Sequence, residues 1–560
     1  MRRPWGILIV LTLPVFIGAL DLTIVSAILP EIINQLKLPI DSRFDDASWA
    51  VSGYLLAYTI SMTFMGRISD IIGRRWVYIA CLIIFMFGSW FVTIAHTWPA
   101  DWYLDGYRWL YPNPDTHIPP ALEIRQLHMI ILGRVIQAFG AGAMVPVTMA
   151  VVGDMFPAGE RARPLGFVGA VDTAGWVLGH LYGGAMVKFF GAHGDIIVDA
   201  LGSVGLDLGY PTWHTLFILN IPISLVALVG AWYALRGGEF GHRSGQYFDV
   251  LGTALITLAL IGFSVGVGGA SPESALGAES FEDLSTHSSN DYTIPLLIGA
   301  AVFFGLFLLW EMRTRHPLID LKLFRKRNYS ASAFTNFCVG FGLAIGLVSV
   351  PLVINIRAES TSQEAFQDAA LIAGLVLSGL TVPMALAAYP GALLSDRYGF
   401  RPVTVGGLAL AVIGFVLCSL TWTSDISPWI MAFEIAVIGV GLGLTISPVS
   451  TALINEVPMG ERGVSAALVL ILRLVGMTLA ISGLTSYALS RVEQRTRALG
   501  NITDIDERQA AYLDATVAQI NELFLIGAAV TVVALFIALR LHGGRVEKGA
   551  ESDHPRPTLT

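Results

Sequence analysis

Residues 163–187 read RPLGFVGAVDTAGWVLGHLYGGAMV, an apolar run interrupted by Asp172 and, eight residues on, by His180. A charge at the centre of a bilayer costs at least ~2.5–3.5 kcal/mol, so an ionisable residue held in lipid marks a candidate functional site. Whether this run lies in a membrane therefore decides both fold and function. The chain around it has 560 residues, 54% hydrophobic and 14% charged, with a mean hydropathy of +0.66. A soluble chain is about 25% charged, so this one is short of the polar residues that coat a globule. Apolar runs of about twenty residues, each long enough to cross ~30 Å of hydrocarbon as a helix, recur from end to end. Fourteen are predicted, over 6–33, 47–65, 76–97, 128–152, 164–187, 214–235, 250–270, 293–312, 330–355, 370–394, 403–422, 429–452, 464–489 and 519–540. The class is an all-α membrane protein.

The start, MRRPWGILIVLTLPVFIGALDLTIVSAILP, has the basic flank and apolar core of a signal peptide. No small-residue cleavage site follows and the run continues past Asp21, so it reads as the first span. Cys81, Cys338 and Cys418 all fall within spans, which argues against a disulfide framework or a clustered metal site. With both ends inside, twenty-two Lys and Arg lie in inner loops and tails and ten in outer loops, while Arg134 and Arg473 lie within spans. That bias predicts cytoplasmic termini in a plasma (inner) membrane.

The sequence repeats. DMFPAGERARPLGFVGAVDTAGWVLG from Asp154 matches NEVPMGERGVSAALVLILRLVGMTLA from Asn455 at an offset of 301, which aligns Pro157 with Pro458 and Gly175 with Gly476. GRISDIIGRR from Gly66 matches GALLSDRYGFR from Gly391, with Asp70 on Asp396. Related six-helix bundles are the simplest source of such symmetry. The expected division is a first bundle over 1–235, an inserted helix pair with a cytoplasmic linker over 236–329, a second bundle over 330–540 and a cytoplasmic tail over 541–560.

GRISDIIGRR between spans 2 and 3 resembles the cytoplasmic signature of the major facilitator superfamily, Gly-x-x-x-Asp-x-x-Gly-Arg-Arg/Lys. LDLTIVSAILPEI in span 1, LGRVIQAFGAG in span 4 and WHTLFILNIPI at span 6 resemble motifs of its fourteen-helix drug:proton antiporter (EmrB/QacA-like) family. The resemblance implies the major facilitator fold, two six-helix bundles plus two inserted helices. It also implies proton-coupled export of amphipathic, cationic or zwitterionic drug-like molecules. Two positions depart from the family pattern: Ala138 stands for a usual Gly, and His180 for the Pro of the span-5 antiporter motif.

Depth along the helices selects the candidate site. At 1.5 Å per residue, Asp21 and Arg134 both lie ~9 Å below the outer edge, so they can share a site, as coupling groups or as a fixed ion pair that orients spans 1 and 4. His180, near the same level, either carries a proton or contacts substrate, or only bonds a neighbouring helix. The offset of 301 places Asp172 on Arg473 near the midplane, on opposite sides of a central pathway. Gly175, Gly179, Gly183 and Gly184 mark a face for close helix packing. In the signature loop, Asp70, Arg74 and Arg75 are expected to bridge helix ends at the inner face, with Gly66 and Gly73 allowing close approach and a turn. Asp396 and Arg397 are a weaker copy. Glu434, about five residues into span 12, reads as interfacial. The aromatic segment TWPADWYLDGYRWLYPNPDTHIPP is suited to the headgroup region or to capping the cavity mouth.

No Gly-x-x-x-x-Gly-Lys-Ser/Thr pattern occurs, so an ion gradient rather than ATP is the expected energy source, at ~2.3 kcal/mol per charge per 100 mV. No cofactor, metal or nucleic-acid partner is expected, and the chain does not read as an enzyme. The partners are a small amphipathic substrate, protons, the bilayer and, left open, a periplasmic adaptor. Two alternatives stand beside drug efflux. One is the same fold carrying a native lipid, glycolipid or peptide; the other is a non-transporting receptor or sensor.

Overall fold

The computed structural model describes residues 4–37, 40–112, 117–203, 210–236, 247–267, 292–315, 317–357, 363–458, 461–498 and 505–544. The loop 268–291, expected on the outer side, and the tail 545–560 lie outside these. Among the described residues the chain is helical, with no strand. In chain order the helices are α1 (Pro4–Gln35), α2 (Ile40–Ile72), α3 (Arg74–Ile94), α4 (Pro99–Leu110), α5 (Leu122–Ala141), α6 (Met144–Met155), α7 (Ala162–Ser203) and α8 (Trp213–Ala234). They continue with α9 (Val250–Gly266), α10 (Thr293–Glu311), α11 (Arg327–Arg357), α12 (Gln363–Tyr398), α13 (Phe400–Thr421), α14 (Pro428–Asn455), α15 (Arg462–Ala498) and α16 (Ile505–Ala538).

Among the described residues, eleven helical segments are long and apolar enough to cross a membrane, with α5 and α6 forming one of them. The chain is a multi-pass membrane protein. The predicted spans at 47–65, 164–187 and 250–270 are not among the eleven. All three stretches are helical, but α9 has only 17 residues. The others have a shared physical cause. α2 turns Ser52, Tyr54, Tyr58, Thr59, Ser61 and Thr63 into the interior, and α7 carries Asp172, His180 and a glycine ladder. Helices that line a polar interior score low on hydropathy.

Packing follows small residues. α7 lies along α1, where a Cβ on Gly175 would come within 2.7 Å of Ala19 Cβ and Phe16 O, and one on Gly179 would overlap Thr23 Oγ1. Gly183 is buried as well; the surroundings of Gly184 lie outside the description. At the repeat offset, Gly476 of α15 meets Phe337 O of α11 with the same closeness. α9 and α10 pack on each other, and α9 also touches α2. Contacts between the first and second halves run through α2 with α15, α7 with α12, and α6 with α15.

Two turns use left-handed glycines. Gly73 (φ 105°) separates α2 from α3 and Gly399 (φ 94°) separates α12 from α13, matching positions of the second repeat. Both turns lie on the face that carries most Lys and Arg, called the basic face below. Toward the opposite face, Trp98 just before α4 and Trp102 and Trp109 within it are exposed, the last by 82%. The three cysteines are free and buried.

Candidate functional site

Asp21 and Arg134 meet inside the first half, from α1 and α5. Arg134 pairs with Asp21 through Nη1, donates through Nη2 to Asp21 O at 3.0 Å, and donates to Gln137 Oε1 at 2.6 Å. Asn220 of α8 donates to the other Asp21 oxygen at 2.7 Å, and Gln137 donates to Ser89 Oγ of α3 at 2.8 Å. Tyr54 of α2 lies under the guanidinium, 3.9 Å from ring centroid to Cζ. Both charges are fully buried. Breaking a buried pair by removing one partner costs ~3–5 kcal/mol, so this network holds five helices in register.

Asp172 and Arg473 meet between the halves. Arg473 Nη2 donates to Asp172 Oδ2 at 3.4 Å, with side-chain exposures of 12% and 7%. Tyr58 of α2 lies within electrostatic reach of both. The pair is longer and wetter than Asp21–Arg134. The His180 side chain lies outside the described residues.

The signature loop closes the basic face. Asp70 accepts from the backbone N–H groups of Gly463 and Val464, 3.2 and 3.4 Å away at the start of α15. This is a carboxylate on a helix N-terminus, where unpaired N–H groups and the helix dipole favour negative charge. Arg74 joins Asp70 (2.6 Å) to Asp154 (2.7 Å). Gly66 permits the approach, since a Cβ there would sit 2.6 Å from Gly463 O. Arg75 does not join this bridge; its guanidinium lies 4.4 Å from the Trp232 ring centroid. Asp396 takes a bond from Arg163 at 2.8 Å, while Arg397 lies over Tyr398. Glu434 is buried and accepts from Thr421 and Trp422.

Between the repeats the bonds are exchanged. Arg161 donates to Asn455 at 2.8 Å, and its repeat mate Arg462 donates to Asp154, the mate of Asn455, at 2.9 Å. Burial and the neighbouring Arg462 bring the Arg161 guanidinium down to about 10. Sequence reasoning passed over Asp154, Arg161, Asn455 and Arg462 as site residues, although the repeat alignment contained all four. It also missed Tyr54, Tyr58, Gln137 and Asn220. Uncharged residues carry no depth penalty large enough to single them out. Among the described residues no His, Cys, Asp and Glu group can hold a metal ion.

Residues 11–481 match the model of the Major Facilitator Superfamily, with a second match over 332–557. A triacylglyceride transporter of Mycolicibacterium smegmatis is 28% identical over 95% of this chain and 86% of its own length. A triacylglyceride transporter of Mycobacterium tuberculosis is 28% identical over 98% of this chain and 96% of its own. These relatives are named as transporters, not enzymes. Among solved structures, a proton:xylose symporter superposes with a TM-score of 0.54 at 13% identity, covering 94% of each chain. An inward-facing bacterial homologue of the human lysosomal transporter Spinster superposes with a TM-score of 0.51 at 17% identity, covering 97% of this chain and 99% of its own. These likenesses concern the fold.

Proposed function

The chain belongs to the Major Facilitator Superfamily, and within it we propose a proton-coupled exporter of neutral acylglycerol lipids, spanning the plasma membrane fourteen times with cytoplasmic termini. The observation that carries the substrate class is near full-length similarity to relatives named triacylglyceride transporters. Drug efflux, the first expectation from sequence, rests on motif resemblance alone and gives way to the lipid reading. A narrow crevice opens among α2, α9 and α15. Leu55, Leu56, Leu260, Phe263, Leu474 and Val475 line it. Such a wall suits acyl chains; the Thr59 and Thr478 hydroxyls along it donate to Leu55 O at 2.8 Å and Leu474 O at 3.0 Å of their own helices.

In this reading the two bundles rock about a midplane site. Asp70, Arg74, Asp154 and Arg462 hold the cytoplasmic face shut while lipid leaves on the other side. Asp172 and Arg473 constrict the pathway and part when the cycle turns. Asp21 carries the proton, with Arg134 controlling its ionisation. A periplasmic acceptor for an insoluble cargo belongs to the same proposal.

The test is transfer of labelled triacylglyceride from sealed vesicles holding the purified chain, with an imposed pH gradient and a panel of cationic drugs run in parallel. Gradient-dependent lipid transfer is the expected result. Drug transport without lipid transfer would restore the efflux reading.

A further inference from the structure

Tyr54 and Tyr58 are one helical turn apart on α2, both at most 2% exposed. Their rings stack, 6.1 Å between centroids and 20° between planes. Each lies near a different charge pair. Arg134 lies on the Tyr54 ring at 3.9 Å, and the Tyr54 hydroxyl donates to Gly18 O at 3.4 Å beside Asp21. Tyr58 lies within electrostatic reach of Asp172 of α7 and Arg473 of α15, whose side chains bond each other at 3.4 Å. A phenol is an expensive group to bury for packing alone, since its hydroxyl must be satisfied. Two of them in contact, joining one charge pair to the next, call for a further explanation.

We propose that Tyr54 and Tyr58 act as positioning residues that pass the ionisation state of Asp21–Arg134 to Asp172–Arg473. The inference rests on the coupling roles given to those pairs above. When Asp21 is ionised it holds Arg134 over Tyr54, and the desolvated cation–π contact fixes that ring. Protonation of Asp21 releases the guanidinium from its carboxylate. The ring then shifts, and Tyr58 shifts with it through the stacked ring contact. Tyr58 thereby changes the polar surroundings of Asp172 and Arg473. The charged groups facing this path are Asp21, Arg134, Asp172 and Arg473; Gln137, Asn220 and Ser89 complete the polar set.

The experiment reads conformation rather than transport. Thr478 lines the crevice about one turn beyond Arg473 on α15, so the full-length chain carrying Thr478→Cys is placed in lipid nanodiscs and its maleimide labelling rate is followed against pH. The parent's rate is expected to change with pH. Tyr54→Leu should move the midpoint by about one pH unit or more, the loss of a desolvated cation–π contact. Tyr54→Phe keeps the ring and should keep the midpoint, which a merely structural need for tyrosine would not predict. Tyr58→Leu should flatten the response, and it tests the link from the other end should Tyr54→Leu not fold. Parent behaviour in both leucine variants, or a parent whose labelling ignores pH, overturns the proposal. A pH response here, with no triacylglyceride transfer by the chain that keeps Thr478, would instead overturn the substrate reading and leave this one standing.

Discussion

Arg473 reaches Asp172 at 3.4 Å across the join of α7 and α15, and the 301 residues between them are the spacing at which the sequence repeats. The two residues therefore occupy matching positions of the sequence repeat and carry opposite charges. Their bonding differs from that of the other pair: Arg473 reaches Asp172 by one bond at 3.4 Å, whereas Arg134 holds Asp21 through its carboxylate and its backbone O, and Asn220 adds a third bond. The looser pair is the one suited to part and re-form during a cycle.

Asp172→Asn and Arg473→Gln should each slow triacylglyceride transfer by roughly tenfold, and the double variant should be no slower than the slower single. Transfer rates from reconstituted vesicles give the cycle. Effects that multiply would mean the two side chains act separately.

Asp21→Asn keeps the shape and the Asn220 contact but leaves Arg134 without its counter-charge. Lipid accumulation driven by a pH gradient should vanish while exchange of labelled for unlabelled lipid persists. Loss of both would mark Asp21 as a structural residue and remove it from the proton path.

Gly463→Ala should weaken closure of the basic face, because its Cβ would collide with Gly66 O. Overpacking of this kind costs ~1–3 kcal/mol. A cysteine at Ser447, buried where α14 bonds Ala162 O at 2.7 Å, should then label faster from the basic side. An unchanged labelling rate would show that the helix ends yield without opening.

Glu461, in the turn before α15, has its carboxyl pushed up first by burial and then by Asp320, with Asp70 adding to the rise. A raised folded value means the protonated form is favoured, so stability present at acid pH is lost as pH climbs through that value. Glu461→Gln removes the titration. Its melting temperature should exceed the wild type's at neutral and alkaline pH, and the two should converge below the ordinary glutamate range. A constant difference at all pH values would exclude this cause.

Much of the site was legible because the membrane penalises charge. Asp21, Arg134, Asp172 and Arg473 stand out in apolar runs, and depth counting together with the repeat offset brings each acid to its base. The glycine face of α7 was legible for a related reason, since spacing by four fixes one side of a helix. Arg75 was misplaced because a sequence motif does not distinguish an arginine that bridges carboxylates from one that stacks on Trp232. Tyr54 and Tyr58 were passed over because aromatic residues are ordinary in a membrane helix until a cation lies on one of them. The choice between drug and lipid cargo, both carried as expectations, was not legible in the motifs, and the relatives' names favour the lipid. The motifs lie at the signature loop and at helix contacts, positions that carry no information about cargo chemistry.

The bond from Asp70 to the start of α15 differs in kind from the others on the basic face. Its donors are backbone amides, which have no arm to extend when the helices separate. Arg163, more than half exposed on a long side chain, can follow Asp396 through several ångströms. Opening would thus begin with a sharp release at Asp70 and end with a slow parting at Arg163, as a latch lets go before a tether draws taut. Crosslinks of graded length across the two sites would read that order directly.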